Sequence, residues 1–129
     1  MAAALCIMPC ISYAQTIKVT DGDTIRIGKE RIRLIGYDTP EKGDNAKCYE
    51  EHKRAMYATN YLKSLIQDKT KQKDIRRTGK DRYGRTLAYL YIDDIDVSEI
   101  MIGKDLAVRY ECHKNRCPKK IDWCSVLKK

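Results

Sequence analysis

The chain has no phenylalanine and only one tryptophan in 129 residues. Its aromatic content rests on nine tyrosines, which pack well in strands and can stack nucleic-acid bases. No internal repeat or low-complexity stretch occurs, which excludes a repeat array. No apolar run is long enough to span a membrane. The length suffices for one domain and not for two. Carboxylates are in deficit: 18 Asp and Glu stand against 26 Lys and Arg, a formal net charge of +8. A small basic protein is drawn to polyanions, nucleic acid first and anionic membrane second.

Residues 1–14 read as a secretory signal. They are mostly apolar and end in Ser12-Tyr13-Ala14, small residues where a signal peptidase reads. Residues 15–129 are then the mature domain, secreted or periplasmic. Cys6 and Cys10 leave with the signal. Cys48, Cys112, Cys117 and Cys124 remain, an even number that in an exported chain reads as two disulfides with three possible connectivities. The expected pairing is Cys112–Cys117, closing a small loop, and Cys48–Cys124, tying the start of a long helix to the tail. Zinc is the rival reading, but Cys-His-x3-Cys-x6-Cys matches no regular zinc pattern.

Alternation of polar and branched apolar residues predicts strands at 16–20, 24–27 and 31–35, the last with Ile32 and Leu34 on one face and Arg31, Arg33 and Ile35 on the other. Residues 46–66 predict a helix whose stripe at three-to-four spacing runs through Tyr49, His52 or Lys53, Met56, Thr59 or Asn60, Leu62 and Ile66. Short strands are expected at 75–78 and 106–110. Residues 86–92 give the clearest strand, with Ala88, Leu90 and Ile92 opposite Leu87, Tyr89 and Tyr91. Asp96 can cap a short helix over 97–103. Five strands with one long and one short helix fit a small closed barrel with helices packed on it, most simply an oligonucleotide-binding barrel.

Three segments carry chemistry. Asp21-Gly22-Asp23-Thr24 is good turn chemistry that also places two acids at a strand end. Asp38-Thr39-Pro40-Glu41 is more specific. Pro40 forces Thr39 toward an extended backbone, and Glu41 can approach the site of Asp38. Asp23, Asp38 and the Thr39 carbonyl form an all-oxygen set suited to calcium, and Glu41 can take a proton from water. Arg33, on the strand leading to Asp38, and Arg85, after the Tyr83-Gly84 turn, can each fork onto two phosphate oxygens.

These blocks, in this order and spacing, resemble the staphylococcal nuclease (thermonuclease) family over residues 17–110. The resemblance implies a five-stranded oligonucleotide-binding barrel of the α+β class and calcium-dependent hydrolysis of DNA and RNA. It also implies roles. Asp23, Asp38 and Thr39 would hold Ca2+, and Glu41 would handle the attacking water. Arg33 and Arg85 would grip the scissile phosphate, and Arg82 and Tyr83 would flank the bound nucleotide. Tyr110 falls near a strand end that lines the family's nucleotide pocket. The chain departs from the pattern in a rebuilt loop after Glu41, a missing or much shortened C-terminal helix, and its cysteines. A monomer without a stable protein partner is expected. The competing reading is a non-catalytic barrel that binds single-stranded nucleic acid through Tyr and Arg. A protein docking on an anionic surface explains the charge and the cysteines but none of the motifs.

Overall fold

The computed structural model of the chain describes residues 16–127. The expected signal segment lies outside the described residues. Three strands open the domain: β1 (Ile17–Asp21), β2 (Thr24–Ile27) and β3 (Glu30–Leu34). β4 (Gly36–Asp38) follows at once, and α1 (Tyr49–Gln67) comes after a single 3-10 turn, Gly43–Asn45. Then come β5 (Lys73–Lys80), β6 (Thr86–Ile92), β7 (Ile95–Asp96), α2 (Val97–Gly103), β8 (Val108–Tyr110) and the one-turn helix α3 (Trp123–Val126).

The main sheet has the order β1-β2-β3-β6-β5, antiparallel except for the parallel pair β3–β6. Strand alternation decides its faces. Ile25, Ile27, Ile32 and Leu34 point into the core with Ala88, Leu90 and Ile92, while Lys18, Arg26 and Arg31 point out. The class is the expected one, strands with a long and a short helix, but the barrel is not closed. β1 and β5 are the free ends of the hydrogen-bonded path, and β4 pairs with β8 in a separate ribbon. The cause is local. Gly36 has φ +101°, a conformation that favours glycine. It turns the chain out of β3, so the strand expected over 31–35 continues as β4 toward another partner.

The expected stripe of α1 is displaced. Tyr49 and Met56 are 72% and 38% exposed, and the buried face runs through Glu51, Ala55, Ala58, Thr59, Leu62 and Leu65. Close approach explains this. A Cβ placed on Gly22 would lie 2.8 Å from the Ala58 Cβ and 2.9 Å from the Thr39 Cγ2. The Asp21–Asp23 turn therefore presses against the helix where only small side chains fit. Tyr37, fully buried, fastens the same turn by donating its hydroxyl to the Gly22 carbonyl at 2.8 Å. Asp96 accepts the Ser98 N–H at 2.9 Å and caps α2 as expected.

Candidate active site

The β1–β2 turn, β3 and β4 converge on one guanidinium. Arg33 Nη2 lies 3.3 Å from Asp23 Oδ2 and 3.3 Å from Asp38 Oδ1, and donates to the Tyr37 carbonyl at 3.1 Å. Its Nη1 donates to the Leu34 carbonyl. Asp23 and Asp38 are both buried. Asp23 also accepts the Thr24 hydroxyl at 3.0 Å and the Thr39 hydroxyl at 3.2 Å, with the Thr39 N–H at 3.4 Å. Thr39 is thus drawn against the carboxylate next to Asp38. Burial pushes the Asp38 carboxyl above its ordinary range, and the Asp23 charge adds to this, while Lys120 and Arg33 pull it back.

Glu41 is half-exposed at the mouth of this pair, and its loop is pinned by the first turn of α1. The buried Glu51 accepts the Glu41 N–H on Oε2 at 2.9 Å and the Lys47 N–H on Oε1 at 2.9 Å. His52 Nδ1 accepts the Gly43 N–H at 2.8 Å. Pro40 does not begin a helix, so Glu41 is left in an irregular segment facing the acids. Burial raises the Glu41 carboxyl above its usual range, and Lys120 opposes the shift.

Lys120 went unnoticed in the sequence. Its Nζ lies 3.5 Å from Asp38 Oδ1 and 3.7 Å from Glu41 Oε1, and 5.8 Å above the Tyr110 ring. The tail brings it there between two disulfides, Cys112–Cys117 and Cys48–Cys124. Tyr110 pairs with Gly36 across the β4–β8 ribbon, at the same mouth. The one signal in the sequence is the Lys119-Lys120 pair, in the segment between the two expected disulfides.

Arg85, Arg82 and Tyr83 form a second cluster on the β5–β6 loop. Asp81 organises it, accepting Arg85 Nε at 2.7 Å and the backbone N–H groups of Tyr83 and Arg85 at 2.9 Å each. Burial pushes the Asp81 carboxyl up, but the bonds from Arg85 and Tyr83 outweigh it and hold the group below its ordinary range. Arg82 Nη2 donates to the Tyr83 hydroxyl at 2.8 Å and lies over its ring, which is largely exposed. The structure brings Arg33, Asp23, Asp38 and Thr39 into direct contact and joins Glu41 to them through Lys120. Arg85 bonds Asp81 instead. Its tie to the acids is through chain position: Arg33 pairs with Leu87 of β6, and Arg85 lies two residues earlier, in the loop that leads into that strand.

Among the described residues no three His, Cys, Asp or Glu side chains converge as a metal cage. The donors at hand are two buried carboxylates and the backbone at Thr39, oxygen only, to be completed by water. That set fits a hard cation that keeps part of its hydration, such as calcium.

Residues 31–128 match the model of a family described as staphylococcal nuclease homologue. The chain belongs to that family. Arg33, Asp38, Thr39, Glu41, Arg85 and Lys120 fall inside the matched segment, and Asp23 precedes it. The chain is 41% identical over 92 residues to a thermonuclease of Staphylococcus intermedius, covering 68% of this chain and 53% of that protein. A thermonuclease of Staphylococcus hyicus is 31% identical over 97 residues, covering 72% and 56%. Endonuclease YncB of Bacillus subtilis is 30% identical over 95 residues, covering 70% and 44%. The chain spans about half the length of these relatives.

Proposed function

We propose that the protein is a calcium-dependent nuclease that hydrolyses phosphodiester bonds of DNA and RNA, exported and active as a monomer. One observation carries this reading. Two buried carboxylates share a single arginine fork, with Glu41 held at their mouth. A protein that merely binds nucleic acid gains nothing from buried acids facing a phosphate. Export is inferred from residues 1–14 and from the two disulfides, which persist in oxidising compartments. Among the described residues no helix is long and apolar enough to cross a membrane.

Asp23, Asp38 and the Thr39 carbonyl would hold the calcium ion. When bound, calcium supplies Lewis acidity at a phosphate oxygen. Arg33, which bonds both acids here, would turn its fork to the phosphate. Arg85 would approach the same phosphate from the loop before β6, leaving Asp81. Both guanidiniums meet negative charge that grows in the transition state. Glu41 accepts a proton from the attacking water, and its raised affinity for protons suits that task. Tyr83 offers an exposed face for a base, and Arg82 backs it. The thermonuclease and endonuclease relatives support the same chemistry. The test is incubation of residues 15–129 with plasmid and single-stranded DNA in calcium, in magnesium and in chelator. Cleavage in calcium that stops in chelator is expected, and full cleavage in excess chelator overturns the metal assignment.

A further inference from the structure

The outer face of the main sheet carries cations directly opposite one another. Lys18 pairs with Arg26 across β1–β2, and Arg26 pairs with Arg31 across β2–β3. All three are exposed. The parallel register of β3 and β6 starts at Ile32–Thr86, and Arg85 immediately precedes it in the loop before β6. Like charges placed directly opposite destabilise a sheet. Elsewhere the fold neutralises such groups: on β5, Arg76 pairs with Asp74 at 3.0 Å and Arg77 with Glu30 at 2.7 Å. Among the described residues no carboxylate pairs with Lys18, Arg26 or Arg31.

The row is also tied to the site. Thr24 and Arg33 pair on the next outward-facing row, two residues along the strands and so about 7 Å away. Arg31 Nη2 donates to the Tyr83 carbonyl at 2.9 Å, fastening the row to the loop of Arg82 and Arg85. Strands lie about 4.8 Å apart, so Lys18, Arg26 and Arg31 form a track about 10 Å long that runs across the sheet from Arg85.

We propose that Lys18, Arg26 and Arg31 form an extended binding track for one nucleic-acid strand, gripping phosphates beyond the one held by Arg33 and Arg85. The proposal rests on the nuclease reading for its substrate class, but binding measured in chelator tests it apart from catalysis. The consequence is length dependence. A dinucleotide fills the site of Arg33 and Arg85 without reaching the track, whereas a strand of a dozen nucleotides engages both.

The experiment compares the parent with the triple variant Lys18→Gln, Arg26→Gln, Arg31→Gln. The control is Lys53→Gln, Lys69→Gln, Lys104→Gln, which removes the same charge from exposed positions off the track. Affinity for dithymidylate and for a 12-residue oligothymidylate is read by fluorescence anisotropy in chelator over a series of salt concentrations. In the track variant the oligomer should bind at least tenfold more weakly, with its salt slope reduced by about two, given roughly 0.7 per phosphate contact on a single strand. Dithymidylate affinity should fall far less than oligomer affinity, because only the bond from Arg31 to the Tyr83 carbonyl touches its site, and the control should lose far less on the oligomer. Equal losses in both triples, or equal losses on both ligands, would overturn the track. So would loss of binding to phosphatidylserine vesicles with oligomer affinity kept, which would make the row a membrane surface. A triple variant that melts below the parent is replaced by Lys18→Gln and Arg31→Gln singly, each expected to lower the slope by roughly 0.7.

Discussion

Lys120 Nζ stands 3.5 Å from Asp38 Oδ1, joining residues 82 positions apart in the chain. The ammonium takes the side of Asp38 that faces Glu41, at the place where a calcium ion would be drawn. The two cations repel, so calcium must displace the lysine. Lys120→Met should therefore bind calcium about fivefold more tightly, the size of a partly exposed charge pair. Isothermal titration of parent and variant measures this, and equal or weaker affinity in the variant counts against it.

The Cys48–Cys124 bridge closes 76 residues and fixes the segment that delivers Lys120. Cys48→Ser with Cys124→Ser should lose about 2–4 kcal/mol of unfolding free energy. In that background Lys120→Met should no longer alter calcium affinity, because a freed tail spends little time at Asp38. Urea unfolding and the same titration, run as a double-mutant cycle, test both halves.

Glu51 is the support for Glu41. Glu51→Ala leaves the Glu41 and Lys47 N–H groups without their acceptor, at a cost of about 1–3 kcal/mol. The turnover number should fall through a displaced Glu41, while calcium affinity stays near the parent's because Asp23 and Asp38 lie on other segments. Parent-like turnover would mean that Glu51 does not position Glu41.

Acid stability should report Glu30. The Arg77 guanidinium and the Thr86 hydroxyl hold its carboxyl at about 2, against an ordinary 4.5. A folded-state value below the unfolded one means the contribution is full above pH 4.5 and is lost as pH falls through about 2. Glu30→Gln should cost less than about 1 kcal/mol at neutral pH, as for a screened pair. It should also flatten the decline of stability between pH 4.5 and 2. An unchanged slope in chemical-denaturation curves over that range would remove the pair from the acid response.

Much of this architecture was legible because it is local. The alternation of β6 and the Ile32–Leu34 face of β3 follow from side-chain period alone. That Asp23 and Asp38 can meet is legible from their places at strand ends, but the bonds from Arg33 to both are not, because Asp38 sits on the ribbon β4 whose partner lies far along the chain. The face of α1 was not legible. It is selected by the close approach of Gly22 to Ala58, where no larger side chain fits. β4 escaped notice because Gly36-Tyr37-Asp38 shows no period and pairs with residues far along the chain. The separate β4–β8 ribbon follows from the Gly36 turn. Helix α3 is one turn long and rests on Asp122 accepting the Cys124 N–H at 3.1 Å, too little pattern to stand out. Lys120 is not legible because the expected disulfides fix the ends of its segment and not which of its side chains turns to Asp38.

The most direct measurement is the single-turnover cleavage rate of Glu41→Gln on single-stranded DNA at saturating calcium, paired with its DNA affinity in chelator. The substitution keeps shape and removes the proton acceptor. The expected result is a rate lowered by roughly 10²–10⁴-fold with affinity at the parent's value. Cleavage at the parent rate would contradict the assignment of Glu41 and, with it, the reading of this site as a phosphodiesterase centre.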